Sequence, residues 1–201
     1  MSAERRIVAG MSVTIKPATA ERFDDAQHAF SGGGDGGSCQ CQWWLMRNRD
    51  WEQTTRDQRT ELFRAEFAAT SAPGLIAYVD GEAAGWVRVG PRDAHVRLSH
   101  TRAYVQSTAQ PWDDPSVWVV SCFVVRRKHR TQGLTAQLLD AAISAARTAG
   151  ARVLEAYPID TTVTTKRTNE LYVGVLSSFL KAGFREIARP RPDRVIVELR
   201  L

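Results

Sequence analysis

No run in this sequence approaches the ~20 continuous apolar residues of a membrane-crossing helix. The first eleven residues also lack the apolar stretch of a secretory signal. Cysteine is scarce: the chain has 3, an odd number that argues against a disulfide framework and fits a reducing cytoplasm. Cys39 and Cys41 stand one residue apart, closer than a zinc-holding pair, and no second pair follows. With only His28, His95, His100 and His129 to help, no metal is expected. The usual nucleotide loops are missing as well, since there is no G-x-G-x-x-G and no G-K-[ST]. Acidic residues run short of basic ones, 22 against 27, for a net charge of +5. That balance suits an RNA partner or a polyanionic small molecule equally. With 201 residues and no internal repeat, one domain over residues 11–201 is expected, after a disordered lead-in over residues 1–10.

The stretch from Val117 to Tyr157 is the informative one. Val117-Trp118-Val119-Val120-Ser121-Cys122-Phe123-Val124-Val125 is uncharged and rich in β-branched and aromatic residues, which predicts a strand buried on both faces. A basic turn, Arg126 to Gly133, comes next. Leu134, Leu138, Leu139, Ala142, Ile143 and Ala146 then recur at helical spacing, and Gly150 marks the helix end. Val153 to Tyr157 predicts a second strand, closed by Pro158. Strand, helix and strand in this order make a βαβ unit with parallel strands. A glycine at the mouth of its helix lets a ligand approach the unpaired first N–H groups, which with the helix dipole attract anions.

Arg130-Thr131-Gln132-Gly133-Leu134-Thr135 resembles the pyrophosphate-binding motif R/Q-x-x-G-x-G/A of the GCN5-related N-acetyltransferases (GNAT). Thr135 departs from it, standing where glycine or alanine is usual. Phe179-Leu180-Lys181-Ala182-Gly183-Phe184 is similar to the helix end of the same superfamily. The resemblance implies a mixed α/β fold in the order β-α-α-β-β-β-α-β-α-β, a central mixed sheet flanked by helices. It also implies acetyl-CoA as co-substrate. Arg130, Thr131, Gln132, Gly133, Leu134 and Thr135 would take its diphosphate, and the backbone of Phe123, Val124 and Val125 its thioester arm.

The rest of the chain fits that order. An alternating strand over Val13–Pro17 precedes an amphipathic helix through Phe23, Ala26 and Phe30. Ser31 to Ser38 is glycine-rich with no strand before it, and is expected to be a flexible linker. Thr55 to Ala69 predicts a helix, and Asp80-Gly81 a tight hairpin turn between two strands. Pro91 to Ser116 shows no periodicity, and loops that long are usually functional. Tyr172 to Ala182 reads as a helix and Val195 to Leu199 as a last strand.

Attack of an amine on a thioester requires a base for the amine, a donor for the oxyanion and a proton for the leaving thiolate. An alkylamine is only ~0.1% free base at pH 7, a handicap of ~4 kcal/mol. The central strand offers no carboxylate, so Glu155 is the candidate base; Leu154-Glu155 resembles a segment of the ribosomal-protein alanine acetyltransferases whose glutamate has that role. The alternative for Glu155 is a structural partner of an arginine such as Arg152 or Arg185. The family's usual acid is replaced by Phe179, which leaves Tyr172 as candidate, with Tyr157 as a second hydroxyl. Cys122 is expected to be inert. The expected activity is acetyl transfer to a primary amine of a small molecule or peptide. Two alternatives stay open: a coenzyme-A-binding module without turnover, and a tRNA-directed, toxin-like acetyltransferase. No membrane partner is expected, nucleic acid is a secondary partner only, and a homodimer is left open. Trp43, Trp44 and Trp51 hint at an apolar or ring-bearing acceptor.

Overall fold

Strands form where β-branched and aromatic residues run together. In chain order they are β1 (Val13–Pro17), β2 (Gly74–Val79), β3 (Glu82–Pro91), β4 (Val117–Val125), β5 (Val153–Ala156), β6 (Arg185–Arg191) and β7 (Arg194–Arg200). The helices are α1 (Phe23–Phe30), α2 (Gly36–Cys39), α3 (Asn48–Gln53), α4 (Arg56–Phe67), α5 (Val96–Ser99), α6 (Arg102–Val105), α7 (Leu134–Thr148) and α8 (Leu176–Lys181). This computed structural model describes residues 11–201, so the expected lead-in lies outside the described residues.

The strands build one mixed sheet in the order β1-β2-β3-β4-β5-β7-β6. Every neighbouring pair is antiparallel except β4 and β5, the parallel pair of the βαβ unit. Asp80 and Gly81 both take positive φ, 51° and 84°, as the tight turn between β2 and β3 requires. One face of the sheet is covered by α7, whose Leu138, Leu139 and Ala142 are fully buried with Val87, Leu154 and Phe179. Each such leucine contributes ~1.5–3 kcal/mol of burial. The other face packs against α1 and α4 through Phe30, Phe63 and Trp86, the last two rings 5.3 Å apart and edge-on. The N-cap of α4 is Thr55, which exchanges hydrogen bonds with Gln58 in a capping box. Among the described residues no helix is long and apolar enough to cross a membrane.

The last strand expected at Val195 to Leu199 is present as β7, and a strand not expected precedes it: Arg185–Arg191 is an arginine- and proline-bearing edge strand with no apolar alternation to announce it. Three expectations are corrected. The stretch from Pro91 to Ser116 is anchored at several points and holds α5 and α6. The helix expected from Tyr172 begins only at Leu176: Gly174 takes φ +83° and Val175 is extended. Tyr172 and Phe179 therefore share no helix face. The glycine-rich run is not a free linker. Its Gly32 carbonyl accepts from Arg127 N–H at 3.1 Å, and a Cβ there would lie 2.6 Å from Arg126 Cβ. Only glycine lets these two segments touch.

Candidate active site

The site is built where β4 and β5 part. They pair from Val117 with Val153 to Val120 with Ala156, after which β4 continues to Val125 beside β3 but without β5. At the parting point β4 bulges, for Arg88 faces Cys122 and Val89 faces Val120, leaving Ser121 as the extra residue. The bulge is held from two sides. Trp44 Nε1 donates to the Ser121 carbonyl at 3.0 Å, and His95 Nε2 lies 2.9 Å from Ser121 Oγ. Beyond it the Phe123 N–H turns toward the gap and donates to the Tyr172 carbonyl at 2.6 Å, while Arg126 N–H donates to Ala84 on β3. Strand alternation then directs the Val124 N–H toward β3 and the Val125 N–H into the gap.

The gap opens into a cleft of about 720 Å³. Phe123, Val124 and Val125 line one wall. Arg130, Thr131, Gly133, Leu134 and Thr135 line the end, with His129 beside them. Gln132 does not reach it; its amide donates to Lys128 O at 3.2 Å. Gly133 caps α7 with φ +78°, and its carbonyl accepts from Ala136 N–H at 3.1 Å. The first N–H groups of a 15-residue helix are thus aimed at the cleft without intrahelical partners. Arg130 Nε is tied to the Val125 carbonyl at 3.0 Å, and among the described residues Arg130 has no carboxylate partner. His129 Nε2 is buried with no hydrogen-bond partner. A helix N-terminus, a guanidinium without a carboxylate partner and an orphaned imidazole nitrogen together fit a diphosphate.

The basic turn is otherwise occupied. Arg126 and Lys128 both reach Glu82, whose carboxyl is held down to about 2 by the hydrogen bonds of His28 and Lys128. Gly33, Gly34 and Gly36 form the opposite wall of the cleft, a role that composition alone did not reveal.

A second pocket of about 360 Å³ adjoins the first, and Trp43 and Tyr172 line both. Trp44 and Tyr104 add aromatic walls, with ring centroids 6.5 Å apart. The Tyr172 hydroxyl has no hydrogen-bond partner among the described residues, and burial pushes its pKa up, so it stays protonated at neutral pH.

Glu155 lines neither cavity. It is fully buried in an ion pair with Arg92, and also accepts from Thr108 Oγ1 at 2.8 Å and Tyr157 Oη at 2.9 Å. The arginine that takes it is neither Arg152 nor Arg185; Arg185 pairs instead with Glu198, which faces Glu155 across β5 and β7. Tyr157 is buried with it, and burial, then the Glu155 charge, pushes its pKa up. Phe179 is in the core, its ring 5.1 Å from that of Phe184.

Cys41 is buried under Trp86 and Arg88, whose Nε1 and Nε each stand 3.3 Å from its Sγ. Burial raises its pKa, but the hydrogen bond from Cys122, the Arg88 charge and the hydrogen bonds from Arg88 and Trp86 prevail and hold it below the ordinary thiol value. Cys122 reaches the cleft wall, and its hydrogen bond to Cys41 and its burial hold it as a thiol. Burial likewise pushes Cys39 up to about 11. Among the described residues no group of three or more His, Cys, Asp or Glu side chains is placed to hold a metal ion.

A mixed α/β sheet with a parted parallel strand pair thus holds a cleft with an anion-directed helix N-terminus at one end and an aromatic pocket at the other. The profile of the acetyltransferase (GNAT) family matches residues 40–174, and the chain belongs to that family. Its fold is similar to that of an N-acetyltransferase from Staphylococcus aureus Mu50, with 17% identity, 94% of this chain and 98% of that one covered, and a TM-score of 0.55. It is similar, too, to the GNAT domain of S. lividans PAT, at 16% identity, 94% and 90% coverage and a TM-score of 0.54. A third likeness is to the PaiA N-acetyltransferase from Thermoplasma acidophilum in complex with coenzyme A, at 14% identity, 94% and 99% coverage and a TM-score of 0.54. No curated protein matches the chain.

Proposed function

We propose that this protein transfers an acetyl group from acetyl-CoA to the primary amine of a small molecule. The observation that carries the reading is the pair of cavities meeting at Trp43 and Tyr172, one with the polar groups a diphosphate needs at its far end. Arg130, His129 and the N–H groups of Gly133, Leu134 and Thr135 would hold the diphosphate, and Thr131 shapes the turn. The Val125 N–H, without a β5 partner, would hold the coenzyme's amide-bearing arm, since the Phe123 N–H is already given to Tyr172 and the Val124 N–H to β3. Acetyl-CoA, when bound, supplies the thioester carbonyl that the amine attacks.

Tyr172 is the group we assign to the leaving sulfur. Its hydroxyl is free, protonated and on the wall between the two cavities, as a proton donor requires. Its backbone carbonyl is fixed by Phe123, so the side chain starts from an anchored position. Glu155 receives no catalytic role in this reading, because its carboxylate is spent on Arg92, Thr108 and Tyr157. The acceptor pocket helps deprotonation in another way: its lining carries arginines and no carboxylate, and neighbouring positive charge disfavours an ammonium ion.

Calorimetry with coenzyme A, followed by thiol release from acetyl-CoA with a panel of amines, tests the proposal. Binding together with amine-dependent thiol release supports it. No coenzyme binding, or binding with no transfer to any amine, overturns it.

A further inference from the structure

Three arginines are buried among the described residues, and two of them are paired with acid: Arg88 meets Glu66 and Arg92 meets Glu155. The third, Arg97, lines the smaller pocket and is not. Arg47, Arg97, Arg191 and Arg194 line it together, no Asp or Glu lines it, and none of the four is in an ion pair among the described residues.

Arg97 is the decisive member. It is only 7% exposed, so its charge is largely out of water. Its Nε donates to the Trp43 carbonyl, its Nη1 reaches Asn48, and its plane lies 3.6 Å from the Trp43 ring centroid. Those contacts fix the guanidinium, yet its Nη2 is buried with no hydrogen-bond partner. Burial holds its pKa below the ordinary arginine value, as expected of a cation short of a counter-ion. A buried donor of this kind is costly unless something completes it. A planar guanidinium with a free N–H edge matches a carboxylate or phosphonate oxygen pair.

Resting on the acetyl-transfer reading, we propose that this pocket selects the acceptor by charge: the substrate is a small primary amine that also bears an oxyanion, a carboxylate or a phosphonate, on an apolar or ring-bearing body. The anion would complete Arg97, with Arg47, Arg191 and Arg194 adding a positive field. Trp43 and Tyr172 would flank the body and lead the amine to the cleft. About 360 Å³ admits a molecule of amino-acid size and not a folded partner. With four cations lining the pocket and one or two negative charges on the ligand, a positive surplus remains to favour the free amine.

The test uses the full chain and matched pairs that differ only in the anion. Acetyl transfer to L-phenylalanine and L-tryptophan is compared with phenethylamine and tryptamine, and with the aminophosphonate analogue of phenylalanine. Binding of N-acetyl-L-phenylalanine and its amide is measured by calorimetry without relying on turnover. The acids are expected to show at least ~10-fold higher kcat/KM than the decarboxylated amines, and the acetylated acid to bind at least ~10-fold more tightly than its amide. Arg191→Gln and Arg194→Gln, combined, should lower that preference and leave coenzyme A affinity unchanged; Arg97→Lys, which keeps the charge and loses the planar fork, should remove most of it without unfolding the chain. Acids and neutral partners handled alike, or no acid bound at all, would overturn the proposal. If the acid still outbinds its amide while coenzyme A fails to bind, the anion pocket stands and the acetyl-transfer reading falls.

Discussion

Arg92 Nη1 stands 2.9 Å from each carboxylate oxygen of Glu155, and neither side chain is reached by solvent. The same guanidinium stacks 4.3 Å from the Trp112 ring and donates to the Gln110 carbonyl, so one ion pair pins the chain after β3 against β5. Breaking a buried pair from one side strands the other charge. Glu155→Gln should therefore destabilise the fold by ~3–5 kcal/mol. Denaturant titration measures this loss. Coenzyme A affinity, measured where the variant is still folded, should be unchanged. A fully stable variant with a collapsed kcat would return Glu155 to the role of base.

Tyr172→Phe keeps the ring against Trp44, 6.4 Å between centroids, and removes only the hydroxyl. The expected result is a ~10²–10⁴-fold fall in kcat with coenzyme A affinity held. A raised coenzyme Kd with single-turnover rates intact would make the tyrosine a binding residue instead. Phe179→Tyr is expected to add no rate, because position 179 is in the core beneath Gly174, where an added Cβ would already come within 2.7 Å of the ring.

Coenzyme affinity should respond to the turn before α7. Arg130→Ala removes one charge-assisted contact, ~1.5–3 kcal/mol or ~10- to 100-fold in Kd by calorimetry. Gly133→Val should also weaken binding, by strain and not by collision. An added Cβ there meets nothing within 4 Å, but φ +78° costs a valine ~1–2 kcal/mol and displaces the N–H groups around it.

His95 makes stability pH-dependent. Burial, then the Arg88 charge, lowers its pKa from 6.5 to about 3, so the folded protein keeps the imidazole neutral against Pro91 and Ser121. Between those values the unfolded chain binds a proton that the native state does not. Stability therefore falls as pH drops below 6.5, by ~1.4 kcal/mol per unit from this group alone. His95→Gln should be less stable at pH 7, with a pH slope between 6 and 4 that is shallower by about this amount. Equal slopes in denaturant titrations would show that His95 charges in the native state.

What could be read from the sequence was what is local. The strand of Val117 to Val125, the helix that follows and the Asp80-Gly81 turn each carry their signal within a few residues, and the first two place the basic end of the cleft. Long-range partners carry no such signal. Arg92 and Glu155 are 63 residues apart, so the more plausible partners looked like nearby arginines. Gly32 reads as linker until Arg126 is laid against it. The arginine-lined pocket draws on Arg47, Arg97, Arg191 and Arg194, from three separate parts of the chain, each of which in the sequence alone reads as an ordinary surface charge. The edge strand Arg185–Arg191 was hidden by the charged residues that suit an unpaired edge.

Because Trp43 and Tyr172 line both cavities, the proposed donor and acceptor would have separate seats, and neither would have to leave before the other arrives. On that reading both are bound at once during turnover. Initial-rate plots against the two substrates should intersect, as for a ternary complex, and not run parallel as they would through an acetylated enzyme. Of the two thiols lining the cleft, Cys122 is kept protonated by Cys41 and by burial and Cys39 by burial, and both make poor temporary carriers. A shared wall thus turns two binding sites into a single meeting.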